Sequence, residues 1–432
     1  MDDNRPDPGG KHPDSPGRMW KPGVASQGGF RLILVFVIAA ALGTAIGVVT
    51  LWPTGEGIAS ATVDASDIGL VTDRFSATVT EIRDGPCSYA LEDNPVRCRL
   101  ITVVPDEGPD KGSPVALAEF DLTYSVSVPP VSLDQKIILG YEPSTDFYFY
   151  ADTDRRTPLV WLSLLFALFV VALGRFRGVL ALVGMGGTLV VLVGFLAPSV
   201  LDGNDPLLVA VVAASAIAYL SMYLAHGFNR ITTVALAGTI SSLGLTLAFS
   251  WTFFELANFT GLATEEALVL PFIAGGLDIS SLILGGAVIG ALGALDDMTV
   301  TQAALVSELH HLNPALPVRR LILSGIRVGR EHIASTVNTL LLAYVGASIP
   351  LLLLTAVSNQ SLAMVANSEL VAVEIVRTLC GSMGLVTAVP VTTFLAALVM
   401  AGPPDSTQIK GDPPPESDPT NPIRNGKESG SD

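Results

Sequence analysis

Seven or eight stretches of the sequence are apolar and long enough to cross a lipid bilayer, and they constrain the fold more than any other feature. A helix rises about 1.5 Å per residue, so about 20 apolar residues span a hydrocarbon core of about 30 Å. The stretches predict a membrane-embedded all-α bundle of about eight transmembrane helices. They are approximately residues 31–51, 158–174, 178–197, 207–225, 231–252, 277–297, 333–355 and 376–400.

The composition is that of a membrane protein and argues against a nucleic-acid-binding one. Hydrophobic residues make up 50% of the chain and charged residues 15%, and the mean hydropathy is +0.53. The net charge of -16 comes mostly from acids in the tails, the polar insertion and short loops. Nucleic-acid sites need clustered basic residues. The expected partner is therefore the lipid bilayer, and other membrane proteins or a homo-oligomer are open alternatives.

Polar segments divide the chain into five parts. Residues 1–30 and 401–432 are rich in Pro, Gly and charged residues and are predicted to be disordered tails. Residues 31–51 are predicted to be an uncleaved signal anchor rather than a cleaved signal peptide, because the apolar run is long. Residues 52–157 form a polar insertion, and residues 158–400 form a seven-helix transmembrane domain.

Basic residues near the predicted spans indicate the orientation. Under an eight-span count most of them fall on one side, and such residues are enriched in cytoplasmic loops. Both tails and the segment 298–332 are therefore predicted to be cytoplasmic, and the insertion outside. The basic residues on the cytoplasmic side are Arg18, Lys21, Arg31, Arg175, Arg177, Arg230, Arg319, Arg320, Arg327 and Arg330. Arg155 and Arg156 disagree, but they end a long translocated segment, where the rule is weak.

The polar insertion alternates β-branched and polar residues, as at 77–82 and 122–128. This pattern is typical of strands and predicts a small β-barrel of the OB-like type, with a sandwich as the alternative. Cys87 and Cys98 lie in this domain. An oxidising outer compartment favours a disulfide between them, and two buried free thiols are the alternative.

The segment 253–276 allows two interpretations. Residues 267–274 are apolar but too short to span a bilayer alone. If they belong to the next span, Asp278 lies deep in the membrane. If they form a separate interfacial piece, Asp278 lies at the outer boundary, which is favoured because an aspartate at a membrane centre is costly.

The run from Gly290 to Leu309 carries the most distinctive polar residues. If it is helical as far as the following histidine, one face presents Asp297, Thr301, Glu308 and His311. Such a face could hold a divalent cation of unspecified identity or relay protons. The alternative is a solvated helix face. Asn338 is predicted to lie inside the membrane and to face the bundle, since a buried amide needs hydrogen bonds.

Several of these segments resemble the YibE/F family of bacterial membrane proteins. The matching segments are 152–159, 202–206, 290–309, 328–353 and 374–398. The resemblance implies one outer β-rich domain, a multi-helix membrane part and a bacterial plasma (inner) membrane location. The family's aspartate at the end of its Gly-rich helix falls on Asp297, and Asp296 is a departure from that pattern. The resemblance implies no specific activity.

The sequence leaves two classes of function open and argues against a third. A transporter or permease for a small solute or ion would use Asp297, Asn338, Asp278, Glu308 and His311. A membrane scaffold or assembly partner would act through the outer domain. An enzyme is not expected, because the sequence contains no Gly-x-Ser-x-Gly, His-Glu-x-x-His or Walker motif. Without an ATP site, transport would be passive or coupled to an ion gradient, and no cofactor is expected.

Overall fold

The protein is described from a computed structural model. The structure describes residues 24–67, 72–90, 96–123, 128–143, 145–357 and 360–400. The predicted tails lie almost wholly outside these ranges, as do residues 124–127 of the predicted strand at 122–128.

The polar insertion contains a small antiparallel sheet. Alternate side chains of its central strands are buried, which is the pattern expected when one face of a sheet covers a core. The strands are β1 Asp73–Pro86, β2 Arg97–Pro105, β3 Val115–Ala116, β4 Phe120–Asp121, β5 Lys136–Glu142 and β6 Phe147–Thr153. The strand order is β3-β2-β1-β5-β6, and β4 also pairs with β2. Within the described strands β3 and β6 are edges, so closure into an OB-like barrel is not confirmed.

The first part of the insertion is helical, which differs from the sequence prediction. The insertion 52–157 was expected to be a β domain, but α2 covers Glu56–Asp67. Glu56 lies in its first turn, where a carboxylate stabilises the N-terminus of a helix. α2 packs against the short helices α4 (Ala197–Leu201) and α7 (Glu265–Ile273), so it lies at the end of the bundle that carries the sheet, called here the sheet end.

The rest of the described chain is mainly helical. In the described ranges, six helices are long and apolar enough to cross a membrane, or seven if one bent pair counts as a single span. The predicted count of eight is not confirmed. The helices are α1 Val24–Thr50, α3 Arg156–Val191, α5 Pro206–His226, α6 Arg230–Ala257, α8 Ile279–Leu312, α9 Val318–Ala347, α10 Ile349–Val357, α11 Leu362–Asn367 and α12 Glu369–Met400. A π-helical turn, Leu192–Leu196, joins α3 to α4.

The long helix α3 is interrupted at Arg175. This residue has φ 52° and ψ -132°, which is not helical. A Cβ atom on Gly178 would lie 2.3 Å from the Val170 carbonyl oxygen. Residues eight apart are about 12 Å apart along a straight helix, so the chain must turn back on itself here. Gly178 permits this close approach because it has no side chain.

Two later helices begin or end elsewhere than predicted. The predicted span 277–297 is the first half of α8, which continues to Leu312, and α9 begins at Val318 rather than near residue 333. Most of the segment 298–332 is therefore helical rather than loop. Hydropathy locates only the apolar part of a helix, and these helices extend through polar sequence. A 70° bend separates α9 from α10.

The helices α6 and α12 pack closely and antiparallel through small residues. A Cβ atom on Gly238 would lie 2.3 Å from Thr392 Oγ1, and one on Gly384 would lie 1.8 Å from Thr246 Oγ1. These two contacts also set Ser242 of α6 opposite α12. Glycines at a contact between two membrane helices let the backbones approach to van der Waals distance.

The helix α8 lies in the middle of the bundle and packs against α5, α6, α9 and α12. Small residues mark these contacts as well. A Cβ atom on Gly285 would lie 2.6 Å from the Cβ of Ala210 in α5, and one on Gly381 would lie 3.7 Å from the Cβ of Ala291. Polar residues on α8 are thus brought against several other helices.

We predict that Gly384→Ala destabilises the bundle, because its methyl group would overlap the Thr246 hydroxyl. Overpacking of this kind costs about 1–3 kcal/mol. A lower thermal unfolding temperature in detergent is expected. Gly244→Ala is the control, since Gly244 is an exposed residue of α6 with no atom within 4 Å of the added Cβ. The added Thr246→Ala substitution should restore much of the loss. Equal effects of the two glycine variants would contradict the packing argument.

Candidate functional site

The carboxylate of Asp296 lies between α8, α5 and α6. The Ser221 hydroxyl of α5 donates a hydrogen bond of 2.8 Å to its Oδ2 atom. The Oδ1 atom is buried and has no hydrogen-bond partner in the described part of the chain. None of the ion pairs between described residues includes Asp296. Asp296 is therefore an acidic group enclosed by helices, with one oxygen able to accept a further bond.

Two threonine hydroxyls continue this polar cluster. Thr239 of α6 and Thr299 of α8 are fully buried, and their hydroxyl oxygens are 2.6 Å apart. The Thr299 hydroxyl also lies 3.2 Å from the backbone carbonyl oxygen of Asp296, to which it donates. The sulfur of Met222 lies 3.9 Å from Thr239 Oγ1. The cluster of Ser221, Thr239, Asp296 and Thr299 is called here the Asp296 cluster.

Helical periodicity explains why these residues meet. Leu292, Leu295 and Thr299 are buried and lie on the face of α8 that is packed inside the bundle. Asp296 is four residues after Leu292 and three before Thr299, so its side chain lies beside this face. Because α8 contacts both α5 and α6, hydroxyl groups of two other helices reach the carboxylate.

Asp297 lies elsewhere, although it was the residue selected from the sequence. Its side chain is exposed, about 100° further round the helix than Asp296. It interacts electrostatically with His226, at the end of α5, and Arg177 acts on the same imidazole. A functional role for Asp297 stays a prediction. From the sequence, Asp296 is only a departure from the family pattern. Its helical spacing from Leu292 and Thr299, which are buried, is the signal that could have identified it.

Glu308 and His311 of the predicted polar face do not meet Asp297. α8 is helical through His311, as predicted, and Glu308 and His311 are exposed. Glu308 is eleven positions beyond Asp297, or about 16 Å along the axis. One face of a helix is not one site, because residues two or three turns apart cannot share a ligand.

Two further predicted site residues lie far from the Asp296 cluster. Asn338 is exposed on α9, whereas the sequence argument expected it to face the bundle. The prediction assumed that the Asn338 side chain is buried, but the other helices cover α9 poorly at this position. Asp278 caps the N-terminus of α8 and accepts hydrogen bonds from Ser281 N at 3.2 Å and Ser281 Oγ at 2.5 Å. Residues 265–273 form the separate helix α7, so α8 begins after Asp278 rather than near residue 267.

In the domain that carries the sheet, Cys87 and Cys98 form the predicted disulfide, with a Cα–Cα distance of 4.9 Å. Together with Glu119 they are the one group of potential metal ligands that the described residues bring together. Thiolates bind metals, whereas disulfide sulfurs have no thiolate to offer. This group therefore does not indicate a metal centre.

A second buried polar contact lies six residues beyond Asp296 on α8, about 9 Å along the axis and away from the sheet end. The Gln302 amide donates to the Gly325 carbonyl oxygen at 2.9 Å and to Thr393 Oγ1 at 2.6 Å. A Cβ atom on Gly329 would lie 2.9 Å from Gln302 Oε1. The amide thus fastens α8 to α9 and α12, and its polar atoms are used structurally.

A cavity of about 750 Å³ opens at the sheet end. Its lining includes the acids Glu56, Asp64, Asp202, Asp205 and Asp278. Three of them hold helix N-termini: Asp205 accepts from Leu208 N at 2.7 Å, Asp278 caps α8, and Asp202 accepts from backbone N–H groups at the start of α2. Most of this acidity therefore has a structural explanation, although it still attracts cations.

Asp202 fastens the insertion to the bundle. Its carboxylate accepts hydrogen bonds from Thr54 N at 2.5 Å, Thr54 Oγ1 at 2.9 Å and Gly57 N at 2.7 Å. Desolvation of the carboxylate acts to raise its pKa, but these bonds together lower the pKa of Asp202 below its usual value. Asp202 thus remains charged and holds the N-terminus of α2.

A second cavity of about 320 Å³ lies at the opposite end of the bundle. It is lined by Asn229, Arg230, Ile231, Ser307, His310, His311 and Met400. The helix α8 reaches both cavities, since Asp278 lines the first and His310 and His311 line the second. Asp296 lies between them, about 27 Å from Asp278 and about 21 Å from His310 along the helix.

The Asp296 cluster has a defined chemical capacity. A carboxyl group inside an apolar helical bundle is stabilised either by a cation beside the charged carboxylate or by protonation, which removes the charge. The free Oδ1 atom and the surrounding hydroxyl oxygens are hard ligands that suit a proton or a small cation. The cluster can therefore bind and release positive charge.

Comparison with known proteins identifies the family. Neither a curated protein nor a solved structure matches the chain. A family model described as YibE/F-like protein matches residues 162–402, which is more than half of the chain and includes α5, α6, α8 and α12. The match covers every residue of the Asp296 cluster and confirms the resemblance noted from the sequence. The chain belongs to the YibE/F-like protein family.

Proposed function

We propose that this membrane protein transports a small cation or a solute coupled to one, and that Asp296 is the residue that carries or exchanges the positive charge. The observation that supports this most is the enclosed Asp296 carboxylate, with one oxygen bound by Ser221 and the other without a partner among the described residues. Ionisable residues inside membrane bundles commonly mark ion or proton pathways.

The acidic cavity at the sheet end supports the same proposal. Its carboxylates would concentrate cations near the start of α8. Asp296 lies on this helix about 27 Å from Asp278, which lines the cavity.

Hydroxyl groups extend from the cluster toward the sheet end. Thr239, Ser242, Thr246 and Ser250 of α6 are buried at spacings of three or four residues, on the face toward α8 and α12. The Ser242 hydroxyl has no hydrogen-bond partner among the described residues. Such a row offers oxygen atoms along about 16 Å of helix. Its length suits stepwise movement of a proton or small cation once water enters the interface.

A scaffold remains the second candidate, because the outer sheet offers something that a partner could bind. Within the described strands β3 and β6 are edges, and an unpaired strand edge can accept another chain. This feature explains the outer domain but gives Asp296 no role. Transport is preferred because placing a carboxylate inside a membrane bundle costs free energy, and such residues commonly have a functional role. No enzymatic role is proposed.

The proposed topology has eight crossings, both termini in the cytoplasm and the sheet outside a bacterial inner membrane. The break at Arg175 would divide α3 into two spans, Arg156–Gly174 and Phe176–Val191 with its continuation to Leu201. A single helix of that total length would be about 69 Å long, more than twice the thickness of a hydrocarbon core. The bent pair α9 and α10 would supply the seventh crossing.

For transport, we predict that Asp296→Asn abolishes cation-dependent flux while the protein remains folded, because the amide keeps the shape and still accepts the Ser221 bond. The loss should be at least about tenfold, the scale of a lost charge-assisted bond. Proteoliposomes containing a pH-sensitive dye, with imposed Na⁺, K⁺ or Mg²⁺ gradients, would measure it. Detergent size-exclusion and thermal unfolding would verify folding.

Asp297→Asn is the matched control, one residue along the same helix and exposed. It should retain flux within about twofold, as surface substitutions usually do. Loss of flux in Asp297→Asn alone would support the residue selected from the sequence instead. Flux no greater than that of empty liposomes for every gradient would reject transport of these ions and favour the scaffold.

For topology, we predict that single cysteines at Phe176 and Asn313 are labelled from the cytoplasm and one at Thr123 from outside. Thr123, Phe176 and Asn313 are exposed, so a membrane-impermeant maleimide can reach each of them. The buried Cys380 would be replaced by Ala to lower the background. Labelling of positions 176 and 123 from the same face would mean that α3 does not turn back across the membrane.

A further inference from the structure

The cavity at the end of the bundle opposite the sheet combines basic and apolar groups. Arg230, His310 and His311 contribute nitrogen atoms, and Ser307 contributes a hydroxyl. Ile231 and Met400 provide an apolar part of the lining. No acidic residue lines this cavity in the part of the chain that the structure describes. It differs in this from the acidic cavity at the sheet end.

Arg230 is held in place by the protein, and His310 has a nitrogen atom that the described part of the chain does not use. The guanidinium of Arg230 stacks over the Phe30 ring of α1 at 4.8 Å, a cation–π contact that orients it. The His310 Nδ1 atom is buried and has no hydrogen-bond partner among the described residues. Such a nitrogen has its hydrogen-bonding capacity available to a ligand.

The first turn of α6 adds backbone donors at the same place. Asn229 caps this helix by accepting from Thr232 N at 2.9 Å. Arg230 and Ile231 follow it, and the amide groups of a first helical turn have no carbonyl partner within the helix. A helix of this length also presents a partial positive charge at this end. The backbone, the arginine and the imidazoles therefore all favour an anion.

We propose that this cavity binds a phosphate group. Guanidinium, imidazole, hydroxyl and helix N-terminal donors together are the set that recognises phosphate oxygens. The cavity lies at the bundle end, so the group can come from an anionic lipid headgroup whose glycerol part contacts Ile231 and Met400, or from a free phosphate. Its lining comes from α6, α8 and α12, so occupation would tie these helices together.

The proposal is independent of the transport role and is tested by binding alone. The purified full-length protein in neutral detergent would be titrated in two arms, and ligand-induced change in the unfolding temperature would be measured. One arm uses inorganic phosphate against chloride at equal ionic strength. The other uses mixed micelles containing phosphatidylglycerol against phosphatidylcholine. A rise with phosphatidylglycerol only assigns the site to a lipid headgroup, and a rise with inorganic phosphate assigns it to free phosphate.

Arg230→Gln should weaken the binding about tenfold or more, the scale of one charged hydrogen bond. Arg320→Gln is the control, because Arg320 is an exposed arginine near the same end that does not line the cavity. If Arg230→Gln does not fold, the double variant His310→Gln, His311→Gln decides. No rise in either arm, or equal weakening by Arg320→Gln, would overturn the proposal.

Discussion

The absence of water from a bilayer core is the constraint on which this structure depends. Polar groups inside the helical bundle must find partners within the protein or lie where two helices leave room for a ligand. Gln302 satisfies this requirement with its amide nitrogen, which donates to α9 and α12. Asp296 satisfies it partly, with Ser221 on one oxygen and no described partner on the other. That difference separates a structural polar group from a candidate functional one.

Close packing of small residues makes these polar contacts possible. Gly238 and Gly384 bring α6 against α12 without intervening side chains, and Gly285 brings α8 against α5. Hydroxyl and carboxyl groups are short, so they meet only where helix axes come near one another. The glycines therefore determine where Ser221, Thr239 and Asp296 can share a cluster.

The two ends of the bundle differ in charge for reasons that packing explains. At the sheet end Asp202, Asp205 and Asp278 stabilise the N-termini of α2, α5 and α8. At the other end the N-terminus of α6 is capped by neutral Asn229 and is surrounded by Arg230 and two histidines. Carboxylates thus cap one set of helix ends, whereas basic side chains surround the other.

The sequence by itself determined the membrane class, the family and the position of the polar insertion, because hydropathy and family motifs are local properties of the chain. It indicated the sheet but not α2 or barrel closure, which depend on contacts beyond the strands. It also led to the turn of α8 that carries both aspartates, and it selected Asp297, which the structure places on the exposed side of the helix. Which of Asp296 and Asp297 faces inward depends on where α5 and α6 lie around that helix, and only the tertiary structure decides that. The same reason explains Asn338, whose exposure follows from the helices that do not cover α9.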